Sequence, residues 1–114
     1  MYSYGDIFYA NLPIVIDSQV QQGVRPVIII SNDLNNKYSP VVNVVPLTSR
    51  MTKHPLPTHV KIQGYGLPKP SVILGEQIIT IDKKCLGEKV GTIIDKNMRN
   101  KINRALMTQL NMVA

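Results

Sequence analysis

The run Arg25-Pro26-Val27-Ile28-Ile29-Ile30-Ser31-Asn32-Asp33 decides the fold class. Its four consecutive β-branched residues suit a pleated strand, and Asn32-Asp33 is a turn signal that ends it. Working outward, residues 6–10, 41–47, 58–63, 72–80 and 86–93 read as further short strands. Pro46 inside the second of these marks an edge or a strand end, because proline cannot donate to a ladder. Residues 58–63 alternate, with Val60 and Ile62 on one face and His59 and Lys61 on the other. A Gly64-Tyr65-Gly66-Leu67-Pro68-Lys69-Pro70 loop follows.

The pattern changes at Asp95. Met98, Ile102, Ala105, Leu106, Leu110 and Val113 recur at helical spacing, while Lys96, Arg99, Lys101 and Arg104 occupy other faces. Asp95 is an N-cap candidate, since its carboxylate can accept from the free amides of the first turn. The expected architecture is mainly β, five to seven short strands curled into a small barrel, with a C-terminal helix over one side. No internal repeat, low-complexity stretch or long linker divides residues 1–114, so one domain is expected.

Composition narrows the class. The chain is 44% hydrophobic and 18% charged, an ordinary globular balance. Cys85 is the lone cysteine, so no intrachain disulfide can form, which fits a reducing compartment. The N-terminal residues lack a basic segment followed by an apolar one, and no apolar run is long enough to cross a bilayer. A cytoplasmic protein without membrane association is expected.

Charge points to a partner. The formal net charge is +6, and no acidic residue lies between Asp33 and Glu76. Lys37, Arg50, Lys53, Lys61 and Lys69 all fall in that stretch, with His54 and His59. Such segregation favours a polyanion, nucleic acid before membrane, because the cations are spread along strands and not along one amphipathic helix.

The available chemistry is narrow. No glycine-rich phosphate loop, nucleophile-elbow serine or set of zinc ligands at a known spacing is present. RNA suits so spare a toolkit, because its own 2′-hydroxyl can attack the adjacent phosphate. The protein then needs only to align the attack and stabilise the charge that develops. An arginine fork matches phosphate oxygens, and a threonine hydroxyl can add a hydrogen bond. Arg25 opens one apolar strand and Thr48 closes the next, so antiparallel pairing would bring them together. On the residues alone a second reading stays open, in which Arg25 pairs with a carboxylate and Thr48 caps a strand.

A larger set of residues bears on that choice. Gly5-Asp6-Ile7-Phe8, Gln22-Gly23-Val24-Arg25-Pro26-Val27, Ser31-Asn32-Asp33, Pro46-Leu47-Thr48, Leu56-Pro57-Thr58-His59-Val60, Ser71-Val72-Ile73-Leu74-Gly75-Glu76-Gln77-Ile78 and Thr80-Ile81-Asp82-Lys83 occur in that order. This collinear set resembles the MazF/PemK family of mRNA interferases across nearly the whole chain. The resemblance implies an SH3-like barrel and a homodimer whose interface helps form the RNA site. It also implies metal-independent cleavage of single-stranded RNA without a cofactor, and inhibition by an antitoxin with an acidic, partly disordered tail. On it, Arg25 and Thr48 match the family's catalytic pair. Gln22, Asn32, Arg50, His59, Ser71 and Gln77 are candidate RNA contacts, with Tyr65 a weaker candidate for stacking.

One departure concerns the loop before the motif. Many relatives carry a glutamate there, whereas Ser18-Gln19-Val20-Gln21-Gln22 has no acid. That puts the target sequence in question more than activity. Two other functions stay open: a non-catalytic toxin of the same barrel that binds DNA gyrase, and an RNA-binding barrel that does not cut. The absence of tryptophan from the chain counts against the first. The intact Arg25–Thr48 pair counts against both.

Overall fold

The computed structural model describes residues 1–51 and 54–112, so Lys53 and Val113 of the expectations above lie outside it. The elements are β1 (Asp6–Leu12), β2 (Gly23–Ile29), α1 (Asp33–Tyr38), β3 (Val41–Thr48), β4 (His59–Ile62), β5 (Ser71–Leu74), β6 (Ile79–Asp82), a 3-10 turn (Lys83–Cys85), β7 (Leu86–Thr92) and α2 (Lys96–Gln109). Among the described residues the seven strands form one antiparallel sheet in the order β4-β5-β3-β2-β1-β7, with β6 also paired to β3.

The continuous apolar run of β2 has a specific cause. Val27 and Ile29 enter one core with Phe8, Val42, Val44 and Ile81, while Ile28 enters a second with Ile7, Val45, Leu47 and Ile73. Alternate side chains of a strand point to opposite faces, so a strand buried on both faces loses the polar half of its alternation. Ile102 and Ala105 of α2 join the second core, which places the helix over that side as expected.

The curl is closed by a near contact between chain segments. A Cβ on Gly91 would lie 1.9 Å from the Tyr65 carbonyl oxygen, and one on Gly66 would lie 2.1 Å from that of Val90. Only glycine lets the loop after β4 lie against β7 at this separation. The sheet is therefore barrel-like.

Four expectations are corrected. Residues 72–80 are not one strand: β5 pairs the end of β3 (Leu47↔Ile73, Thr48↔Val72), whereas β6 pairs its start (Val44↔Ile79, Val41↔Asp82). The chain turns between them at Gly75, whose amide donates to the Thr58 carbonyl at 3.0 Å. Pro46 marks neither an edge nor a strand end, since β3 is flanked by β2 on one side and by β5 and β6 on the other; it falls in the gap between the latter two pairings, so its missing donor breaks no ladder on that side. Asn32-Asp33 does not simply turn the chain; Asn32 caps α1 by accepting from the Asn35 amide at 2.9 Å. The short helix is tied down by buried Asn36, which donates to the Ser31 carbonyl at 2.8 Å. Finally, Leu110 lies just beyond α2 and is 55% exposed, so the helical apolar stripe ends at Leu106. Asp95 caps α2 as expected, accepting from the Met98 amide at 3.1 Å.

Candidate active site

The β2–β3 register brings Arg25 and Thr48 together. Val27 pairs with Pro46, and continuing that antiparallel register by two residues sets Arg25 opposite Thr48. Both residues line two adjoining recesses. One, of about 210 Å³, is bordered by Tyr9, Lys69 and Ser71. The other, of about 310 Å³, is bordered by Gln21, Ser49 and Arg50. No carboxylate lines either, so Arg25, Arg50 and Lys69 give the site an uncompensated positive field.

Local hydrogen bonds leave the right groups available. Arg25 donates from Nε to the Gln22 carbonyl at 3.2 Å, which anchors the guanidinium and leaves its two terminal nitrogens as donors. Among the described residues Arg25 forms no salt bridge, so the reading in which a carboxylate neutralises it finds no support. Thr48 accepts at Oγ1 from the Arg50 amide, 3.2 Å away. One lone pair is thereby occupied while the hydroxyl proton stays available to a ligand oxygen. Ser71 is buried and donates to the Lys69 carbonyl at 3.0 Å, holding the lysine's backbone at the rim.

The other candidates divide. Arg50 and Ser71 converge on Arg25 and Thr48. Gln22 does not line either recess; its side chain is bonded twice to Val15, accepting from the amide at 3.1 Å and donating to the carbonyl at 2.9 Å. It shapes the β1–β2 loop, and its neighbour Gln21 faces the site instead. Gln77 lies in the turn between β5 and β6, not within a strand, and accepts from the Gln21 amide at 2.8 Å. Asn32 is the α1 cap, beyond the opposite end of β2 from Arg25.

His59 belongs to a different groove, with Pro57, Lys61, Lys101 and Arg104. Its Nδ1 accepts from the Leu56 amide at 3.1 Å, so the neutral ring carries its proton on Nε2, 2.8 Å from Glu76 Oε2. Burial works against ionisation of Glu76. Hydrogen bonds from His59, its own backbone amide and Thr58 outweigh that and hold its pKa below the ordinary value. Tyr65 donates to Asp95 Oδ1 at 2.6 Å, which raises the phenol's pKa and ties the β4 loop to the start of α2. No three of His, Cys, Asp and Glu gather in a metal-binding arrangement among the described residues.

Sequence reasoning missed Tyr9, Gln21, Ser49 and Lys69. Lys69 had a signal, since it lies in the carboxylate-free stretch; Tyr9 had none before its pairing with Pro26 was known.

Comparison with known proteins places the chain in a family. The family model described as PemK-like, MazF-like toxin of type II toxin–antitoxin system matches residues 3–110. The chain is 44% identical over 111 residues to "Endoribonuclease EndoA" of Bacillus subtilis, covering 96% of this chain and 94% of that protein. It is 49% identical over 104 residues to "Endoribonuclease MazF" of Staphylococcus saprophyticus, covering 90% and 85%. Among solved structures, a mycobacterial endoribonuclease in complex with its cognate antitoxin superposes with a TM-score of 0.81 at 27% identity, covering 100% of this chain and 99% of that one. With a family match spanning residues 3–110 and relatives 44% and 49% identical over most of its length, the chain belongs to the PemK-like, MazF-like toxins of type II toxin–antitoxin systems.

Proposed function

We propose that this toxin is a sequence-specific, metal-independent endoribonuclease that cuts single-stranded mRNA in the cytoplasm. The 2′-oxygen of the nucleotide before the cut bonds to phosphorus, and the bond from phosphorus to the 5′-oxygen breaks. The products are a 2′,3′-cyclic phosphate and a 5′-hydroxyl, with the attacking hydroxyl losing a proton and the leaving oxygen gaining one.

The observation that carries this reading is the convergence of Arg25 and Thr48 in a cation-lined recess. Arginine holds its proton too tightly to act as a base, so its role is to brace the charge on the transition state and hydrogen-bond the leaving oxygen. Thr48 orients a phosphate oxygen through its available proton. Arg50, Lys69 and Ser71 border the path of the strand. Gln77 and Gln22 act at one remove by fixing the loop that presents Gln21.

The same cations suit the acidic, partly disordered tail of an antitoxin, which would inhibit by covering the recess. A homodimer is part of this reading, as the resemblance implies.

Purified protein incubated with a long mixed-sequence RNA in EDTA tests the proposal. Discrete cuts with 5′-hydroxyl ends, lost in Arg25→Ala, are the expected result. RNA bound but uncut would favour the binding-only barrel. Neither cutting nor binding would favour a gyrase-binding toxin.

A further inference from the structure

We propose that the groove between β4 and α2 is a second phosphate-binding surface, which takes a flank of the strand held at Arg25 and Thr48. The proposal rests on the endoribonuclease reading for the identity of that strand, and it concerns a part of the molecule outside the cleavage recess.

The groove has a volume of about 290 Å³, and its rim carries Lys61, Lys101 and Arg104. Lys101 and Arg104 are three residues apart on α2 and so emerge on the same side of the helix. Their neighbours Ile102 and Ala105 are buried in the core, which holds α2 in place beneath them. All three cations are exposed, and among the described residues none forms a salt bridge. The nearby carboxylates are otherwise engaged. Glu76 is bonded to His59 and Thr58, while Asp95 caps α2, bonds Tyr65 and attracts Lys101 only at a distance.

Strand register connects this groove to the cleavage recess. Lys61 pairs with Val72, and Val72 pairs with Thr48. Residues directly opposite across an antiparallel pair project from the same face, so Lys61 and Thr48 share one side of the sheet. They stand two interstrand spacings apart, about 10 Å. A nucleotide chain crosses that distance within a few residues, and beyond Lys61 it meets Arg104 and Lys101. The groove offers charge and no deep apolar socket, which suits phosphates spaced along a strand better than a peptide with hydrophobic anchors.

The test uses a labelled random-sequence oligodeoxynucleotide, which lacks the 2′-hydroxyl and so reports binding without cutting. Binding is measured across a salt series for the full chain, for Lys61→Ala/Lys101→Ala/Arg104→Ala, and for a charge-matched control, Lys83→Ala/Lys84→Ala/Lys89→Ala. Loss of three phosphate contacts should lower the slope of log affinity against log salt by about 2, at roughly 0.7 per contact for a single strand. The control should change it much less. Should the groove variant misfold, single Lys61→Gln and Arg104→Gln changes should each lower the slope by about 0.7.

Equal slopes for the groove variant and the control would overturn the proposal. So would a groove variant that loses poly-glutamate binding but keeps the strand, since the surface would then serve an acidic polypeptide. A wild-type protein that binds with the expected slope but cuts no RNA would sink the endoribonuclease reading and leave the groove standing.

Discussion

Glu76 Oε2 stands 2.8 Å from His59 Nε2, and the pair joins the start of β4 to the turn between β5 and β6. Glu76 has a folded-state pKa below its ordinary value of 4.5, so its bonds add stability above that value. The contribution is lost as pH falls through the lowered folded-state pKa. Glu76→Gln should cost about 1 kcal/mol near neutrality, the scale of a partly exposed charge-assisted hydrogen bond. Urea titrations of both proteins across pH should show the difference shrinking at acid pH. A pH-independent difference would mean that the carboxylate charge contributes nothing.

Closure of the curl predicts a contrast between two glycines. Gly91→Ala drives a Cβ against the Tyr65 carbonyl oxygen and should lower stability by about 2 kcal/mol or more. Gly64 has φ +92 but nothing within 4 Å of its would-be Cβ, so Gly64→Ala should cost only backbone strain, about 1 kcal/mol. Chemical denaturation ranks the two directly.

The seating of α2 is tested by Ile102→Ala. Ile102 is 1% exposed, and removing three carbons from a packed site should cost about 3 kcal/mol. A cost below about 1 kcal/mol would show that the helix is not held by this residue.

At the recess, geometry separates charge from shape. Arg25→Lys keeps the charge but loses the two-pronged donor fork, and should still cut slowly, by about 10²-fold or more. Thr48→Ser keeps the hydroxyl proposed to orient the phosphate and should lose far less rate than Thr48→Ala. Single-turnover rates with saturating RNA make the comparison. Full activity in Arg25→Lys would reduce Arg25 to a point charge.

The bond from the Gln21 amide to Gln77 Oε1 connects the β5–β6 turn to the β1–β2 loop. Gln77→Ala removes that acceptor, so the Gln21 amide should exchange its hydrogen faster while amides of β2 and β3 stay unchanged. The same variant should alter which RNA sites are cut more than how fast they are cut. Amide exchange by NMR and end mapping of cleaved RNA check the two halves.

Local sequence determined a good deal of this protein. β-Branched runs set the strands, Asp95 and the helical spacing set α2, and the carboxylate-free stretch marked the basic side. Each of these depends on neighbours in the chain, through propensity, capping or periodicity, so each could be read without knowing the fold. The Arg25–Thr48 meeting was also legible, because one residue opens a strand and the other closes its antiparallel partner. Tertiary structure alone decided the rest. Residues 72–80 looked like one strand until β3 divided its pairing between β5 and β6. Gln21 faces the recess and Gln22 does not, because Gln22 is held by Val15 and Gln21 by Gln77 across the fold. Lys61, Lys101 and Arg104 share a groove only because α2 packs beside β4. Those placements depend on pairing register and on contacts between residues far apart in sequence, which no local pattern encodes.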